Sequence, residues 1–221
     1  MQTTQTIVRF PDIELLTRDA HKLRGFFGNM FKEHSPLLHN HYSDGKTRYG
    51  YPLVQYKVVD KTPTLVGFQE GADLLVSLFL KIREININSK VYPVLSKNIK
   101  QNNLELRVND QLYNYQFKTL WMALNQDNFR DYQQLDDNQK ISFLNHQLQN
   151  NILSFYKGLS FRISDRIMAI SKLNEKNTLF KDKSMLAFEG EFTSNAFIPD
   201  LAGIGKAVSR GFGTVIQNNK D

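Results

Sequence analysis

The sequence predicts an α+β protein built from two similar halves, and three observations predict it. From Thr4 to Leu95 the β-type and helical runs follow one another in the order βαββαβ. A comparable order returns after residue 104, without visible repetition of the sequence itself. The 221 residues are 41% hydrophobic and 12% aromatic, which is enough apolar material to bury a core in each half.

In the first half, Thr4 to Ile13 reads as a strand ended by Pro11-Asp12. Asp19 to Phe31 reads as a helix with Leu23, Phe26, Phe27, Met30 and Phe31 on its buried stripe and Arg18, His21 and Lys22 opposite. Glu33 to Gly50 has no periodicity and holds three of the five histidines, so it reads as a long polar loop. Tyr51 to Asp60 and Thr64 to Gln69 form a hairpin through Lys61-Thr62-Pro63. A second helix carries Leu74, Leu75, Leu78, Phe79 and Ile82 on one face, and Lys90 to Leu95 reads as the closing strand. This is the ferredoxin-like order, in which two βαβ units make a four-stranded antiparallel sheet with both helices on one face.

Ser96 to Asp110 is polar and Asn-rich, with Leu104, Leu106 and Val108 alternating, so it reads as a strand extension leading into a connector, and the boundary is placed near it: an N-terminal domain of residues 1–103 and a C-terminal domain of residues 104–221. In the second half Gln111 to Leu124 reads as a strand. Asp136 to Phe155 reads as a helix that opens on an Asp136/Gln139 capping box and buries Ile141, Leu144, Leu148, Ile152 and Phe155. Phe161 to Leu173 and Met185 to Thr193 supply two further strands around a polar hairpin region, Asn174 to Ser184. The fold class is therefore two tandem ferredoxin-like βαββαβ domains, the second degraded.

A formal net charge of +6 favours a polyanionic partner, because Lys and Arg that neutralise phosphates supply the sequence-independent part of nucleic-acid affinity. The absence of cysteine excludes disulfides and thiolate metal sites. The polar N-terminus has no signal-peptide core, and the most apolar run, Leu74 to Leu80, is far shorter than the roughly 20 residues of a membrane span. A cytoplasmic protein without a membrane partner is expected.

Gly203-Ile204-Gly205-Lys206-Ala207-Val208-Ser209-Arg210-Gly211-Phe212-Gly213 leads into the terminal β-type segment Thr214 to Ile216. Four glycines in eleven residues around a basic pentapeptide read as a tight turn or as a loop laid against a polyanion backbone. The stretch lacks the Lys-Ser/Thr ending of a Walker loop, and Val208 stands where a dinucleotide fingerprint needs its third glycine. A nucleotide cofactor is not expected.

The spacing Gly203-x-Gly205-x5-Gly211-x-Gly213 before a terminal strand resembles the C-terminal glycine-rich loop of the RAMP superfamily of CRISPR-associated proteins. Together with the early histidines and the tandem architecture, it makes the whole chain similar to a Cas6-type repeat-processing endoribonuclease. The resemblance implies metal-free cleavage of CRISPR precursor RNA within its repeats, leaving 2′,3′-cyclic phosphate and 5′-hydroxyl ends. The family's catalytic histidine usually follows the first helix, which here is the loop containing His34, His39 and His41.

Such cleavage needs a base for the 2′-hydroxyl, an acid for the 5′-oxygen and cations around the phosphorane. His39-Asn40-His41 puts two imidazoles at i and i+2, which point the same way in extended backbone. His39 and His41 are assigned as acid and base in either order, Lys46 as electrostatic stabiliser, and Tyr42 or Tyr49 as positioning groups, with Arg48 and Tyr51 nearby. A His-Tyr-Lys set, as in some family members, stays open. So do a His-x-His metal site, whose only nearby acids are Glu33 and Asp44, and an ordinary polar loop. His34 reads equally as a helix-terminal contact, and His21 and His146 as surface residues.

For RNA contact the sequence offers Gly203, Gly205, Lys206, Ser209, Arg210, Gly211 and Gly213, with Arg162, Arg166 and Lys172 on one face of a second-domain strand. The partner implied is CRISPR repeat RNA, with other Cas proteins of an effector complex as further partners of a monomer or homodimer. The alternative from the same motifs is a non-catalytic RAMP subunit that grips guide RNA in an effector complex.

Overall fold

A computed structural model describes residues 2–31, 50–180 and 183–218. They form two compact units, Met1–Glu105 with Val208–Gly211, and Leu106–Ala207 with Phe212–Asp221. Among the described residues no helix is long and apolar enough to cross a membrane.

The first unit runs β1 (Gln2–Arg9), α1 (Ala20–Met30), β2 (Val54–Val59), β3 (Thr62–Phe68), α2 (Glu70–Leu78), β4 (Glu84–Ile87), β5 (Lys90–Pro93) and β6 (Asn98–Glu105). Its main sheet has the antiparallel order β2-β3-β1-β6, with β1 at the centre against β3 and β6. With β6 as the closing strand, that is the ferredoxin-like order. Register places Val8 beside Leu65 and Leu65 beside Tyr56, so one apolar row crosses three strands. The core that includes this row also holds Phe10, Leu23, Phe27, Leu75 and Leu78. Phe27 is its hub, with ring centroids 6.1 Å from Phe10, 6.0 Å from Tyr56 and 6.3 Å from Phe31. Losing a ring so buried costs about 3–5 kcal/mol.

Two expectations are corrected in this unit. The closing strand is Asn98–Glu105, and Lys90–Pro93 instead pairs with Glu84–Ile87 in a separate hairpin. Asn88 and Ser89, both at positive φ, make the two-residue turn of that hairpin. Most side chains of β6 are exposed, so it lacks the apolar alternation that marks a strand with one buried face. Met30, assigned to the buried stripe of the first helix, is exposed.

The second unit runs β7 (Val108–Phe117), α3 (Gln126–Gln133), α4 (Asp137–Gly158), β8 (Ala169–Phe180), β9 (Lys183–Ala196) and β10 (Val215–Gln217), with sheet order β10-β7-β9-β8. Reading the strands as first to fourth, this is the same order as in the first unit. The degradation lies between β9 and β10, where the ferredoxin-like pattern places its second helix. There the chain forms irregular backbone with a single 3-10 turn at Val208–Arg210. Helix α4 starts at the expected capping box: Gln139 N–H donates to Asp136 Oδ1 at 2.9 Å, and Asp136 N–H donates to Gln139 Oε1 at 3.1 Å. Leu144, Leu148, Ile152 and Phe155 are buried as expected, whereas Ile141 is exposed.

The strand expected at Phe161 to Leu173 is displaced. Residues 161–168 have no regular structure, and β8 begins only at Ala169; it pairs with β9 as far as Phe180 and Lys183, so the hairpin falls within the expected Asn174 to Ser184 region. Helix α3, over Gln126–Gln133, was not foreseen.

Candidate functional site

The glycine-rich stretch is a loop clasped at its base. Gly203 bridges Thr214, Ile204 N–H donates to Gly213 O at 2.8 Å, and Val215 N–H donates to Ala202 O at 3.0 Å. Gly213 N–H donates in turn to Leu120 O at 2.8 Å. These bonds hold the two ends of the stretch together within the second unit.

Inside the second unit, the first limb of the loop lies on Trp121, the only tryptophan. Trp121 is fully buried, stacks on Phe117 with centroids 5.5 Å apart, and donates its Nε1–H to Asn151 Oδ1 at 3.2 Å. Gly205 closes over that hydrogen bond at φ +98°, and a Cβ there would lie 2.5 Å from Trp121 Nε1 and 2.9 Å from Asn151 Oδ1. Glycine is therefore required at this position by conformation and by space. The next residue, Lys206, anchors its N–H on Met122 O at 3.0 Å, and its half-buried ammonium is held below the usual lysine range by burial.

Within the first unit, residues 208–211 pack against α1 and β2. Gly211, at φ +91°, sits over Ala20: a Cβ would come within 2.7 Å of Ala20 Cβ and 3.2 Å of Tyr56 O. Val208 is buried, and Ser209 and Arg210 are half-buried beside it. One helical turn beyond Ala20 stands Arg24, also half-buried. Its guanidinium is held below the usual arginine range by burial first and then by the positive charge of Arg210, while the Tyr56 hydroxyl works in the opposite direction. Burial pushes the Tyr56 phenol well above its ordinary value. On β2, the neighbouring Lys57 is fully buried, and burial lowers its ammonium to about 7.

The structure thus brings Arg210 and Arg24 together and sets Gly205 and Gly211 against the protein's own atoms. It does not bring Arg162, Arg166 and Lys172 onto one strand face. Lys172 lies on the exposed side of β8, and Arg162 and Arg166 are exposed in the irregular segment before it. His39, His41, Lys46, Tyr42 and Tyr49, with His34 and Arg48, lie outside the described residues. His21 is exposed and its Nδ1 is 2.7 Å from Arg18 O, and His146 is exposed on α4. Among the described residues no three His, Asp or Glu side chains gather to hold a metal ion.

Sequence reasoning passed over Arg24, Tyr56, Lys57 and the Trp121–Asn151 pair. Arg24 and Lys57 carried the only available signal, a cation adjoining an apolar stripe and a cation inside a β-type run.

Two family models match consecutive parts of the chain: the Cas6b N-terminal domain over residues 1–105 and the Cas6b C-terminal domain over residues 107–218. An uncharacterised protein of Methanocaldococcus jannaschii is 35% identical over 141 residues, which is 63% of this chain and 96% of that protein. A solved structure of Cas6b shares the fold with a TM-score of 0.94 at 34% identity, covering 99% of this chain and 100% of the other. A second, described as the CRISPR RNA processing endoribonuclease Cas6b, gives a TM-score of 0.81 at 32% identity with the same coverage. A Cas6 product complex, at 10% identity and a TM-score of 0.59, shares the fold alone. With each half of the sequence matched by its own Cas6b domain and the tandem ferredoxin-like architecture shared throughout, the chain belongs to the Cas6b family.

Proposed function

We propose that this protein is an endoribonuclease that processes CRISPR precursor RNA by cutting within its repeats. The observation that carries this reading is the 32% identity, over 99% of the chain, to a structure described as a CRISPR RNA processing endoribonuclease. The net charge of +6 and the basic residues of the glycine-rich loop fit an RNA substrate.

In the reaction proposed, the ribose 2′-oxygen attacks the adjacent phosphorus as its proton passes to one imidazole of the His39/His41 pair. The other imidazole protonates the departing 5′-oxygen as the phosphorus–5′-oxygen bond breaks. The products are a 2′,3′-cyclic phosphate and a 5′-hydroxyl. Lys46 offsets charge on the non-bridging oxygens, and Tyr42 or Tyr49 positions the nucleotide. Each proton transfer contributes roughly 10²–10⁴ in rate. No metal has a part in this scheme. The first unit carries the chemistry, and the loop from Gly203 to Gly213, through Lys206, Ser209 and Arg210, holds the RNA backbone. Arg162 and Arg166 are further backbone contacts, each acting from the irregular segment before β8.

The test is a labelled repeat RNA incubated with the protein in excess EDTA. One cut is expected, with a downstream fragment that a polynucleotide kinase labels directly at its 5′-hydroxyl and no cut when the ribose at the site is 2′-deoxy. Cleavage of the 2′-deoxy substrate, or a 5′-phosphate product, would overturn the 2′-hydroxyl mechanism. Salt-sensitive binding with no cleavage would identify the guide-gripping subunit instead.

A further inference from the structure

We infer that Arg24 and Arg210 form a two-guanidinium clamp in the first unit that takes a single phosphodiester group. The inference rests on the RNA reading above for the source of that phosphodiester, but the clamp itself is argued from the fold.

Arg210 ends the Val208–Arg210 turn, and the next residue, Gly211, presses that turn onto the first turn of α1 at Ala20. Arg24 follows Ala20 by four residues, so its side chain leaves the same flank of the helix one turn further along. Buried Val208 fixes one end of the turn, and the positive-φ Gly211 fixes the other against Tyr56 O. The position of Arg210 is therefore set by backbone packing and not by its own flexible side chain. Tyr56, whose hydroxyl acts on the Arg24 charge, stacks on Phe27 with ring centroids 6.0 Å apart.

The electrostatics agree with this geometry. Each of the two side chains is half-buried, and the charge of Arg210 disfavours the charged form of Arg24. Two like charges held together where water only partly screens them repel one another, and a shared anion converts that repulsion into attraction. Arginine suits the task because its planar fork donates two parallel hydrogen bonds to phosphate oxygens and keeps its proton. The close packing of Gly211 then has a purpose beyond the turn, since it brings one guanidinium of the pair to the other.

Two measurements test the clamp. In the first, affinity for a non-cleavable repeat RNA, 2′-deoxy at the cut, is followed across a salt series for the wild type, Arg24→Gln, Arg210→Gln and the double variant. Each single change is expected to weaken binding by about tenfold, the scale of a charge-assisted hydrogen bond. The double variant is expected to bind little worse than the weaker single, with a log–log salt slope shallower by about 0.7, one phosphate of single-stranded RNA. Arg24→Lys should keep the wild-type slope and still lose affinity. Fully multiplicative losses, or an unchanged slope in the double variant, would overturn a shared phosphate. In the second, the melting temperature is followed in rising inorganic phosphate at constant ionic strength. The wild type should gain more than the double variant, and equal gains would overturn the clamp whatever the RNA result. RNA-free melting separates a structural role: variants that melt well below the wild type and lose affinity only in proportion would contradict the inference. A wild type that ignores RNA yet passes the phosphate test would remove the RNA reading and leave the clamp.

Discussion

Gly211 and Ala20 approach so closely that a methyl group added to the glycine would lie 2.7 Å from the alanine Cβ. The same glycine sits at φ +91°, where a side chain is strained whatever space it finds. Gly211→Ala is therefore expected to destabilise the protein by about 1–3 kcal/mol and to push Arg210 away from α1. Denaturant unfolding checks the first effect and RNA affinity the second. An unchanged midpoint would show that the turn is not pinned where the structure puts it.

Trp121 and Asn151 offer an optical reading of the other limb. As the only tryptophan, Trp121 reports on the second unit alone, and its indole N–H is satisfied by Asn151 beneath Gly205. Asn151→Leu leaves that donor unpaired and is expected to cost roughly 1–3 kcal/mol. Gly205→Ala should shift the tryptophan emission, because the added methyl collides with the indole edge. Emission identical to wild type in Gly205→Ala would contradict the packing described.

Lys57 predicts a pH dependence of stability. Burial lowers its folded-state pKa from an ordinary 10.5 to about 7, so between those values the unfolded chain holds a proton that the native protein has shed. Stability contributed through this group therefore rises with pH across that window, and below about 7 the penalty of the buried charge is fully present. Lys57→Met should flatten the rise and stabilise the protein at pH 6 by roughly 1–3 kcal/mol. Chemical denaturation at pH 6 and pH 9 measures both, and a variant that keeps the wild-type pH slope would show that another group carries it.

What was legible in the sequence followed the range of the interactions involved. The Asp136/Gln139 capping box was readable because both partners lie within one helical turn. The stripe of Leu23, Phe27 and Phe31 was readable because periodicity reports burial, whereas Met30 and Ile141 sit at the margins of their stripes and face solvent. Strand β6 was legible only as a strand extension leading into a connector, because its side chains are mostly exposed, and the more apolar Lys90–Leu95 run took its place as the closing strand. Arg162 and Arg166 were placed on a strand by parity alone, and parity means nothing in a segment that is not extended. Arg24 could not be found because its partner Arg210 is distant in sequence and only the fold joins them. The glycine motif was visible as a motif, but the reasons for Gly205 and Gly211 lie in Trp121 and Ala20, which no spacing rule points to.

The central claim is that a pair of imidazoles cuts the repeat RNA, and single-turnover cleavage by the His39→Ala/His41→Ala double variant tests it most directly. With RNA affinity within about twofold of wild type, the account predicts that the rate falls by at least about 10³, since two proton transfers each supply roughly 10²–10⁴. Cleavage by the double variant at the wild-type rate would contradict the account and move the chemistry to other residues.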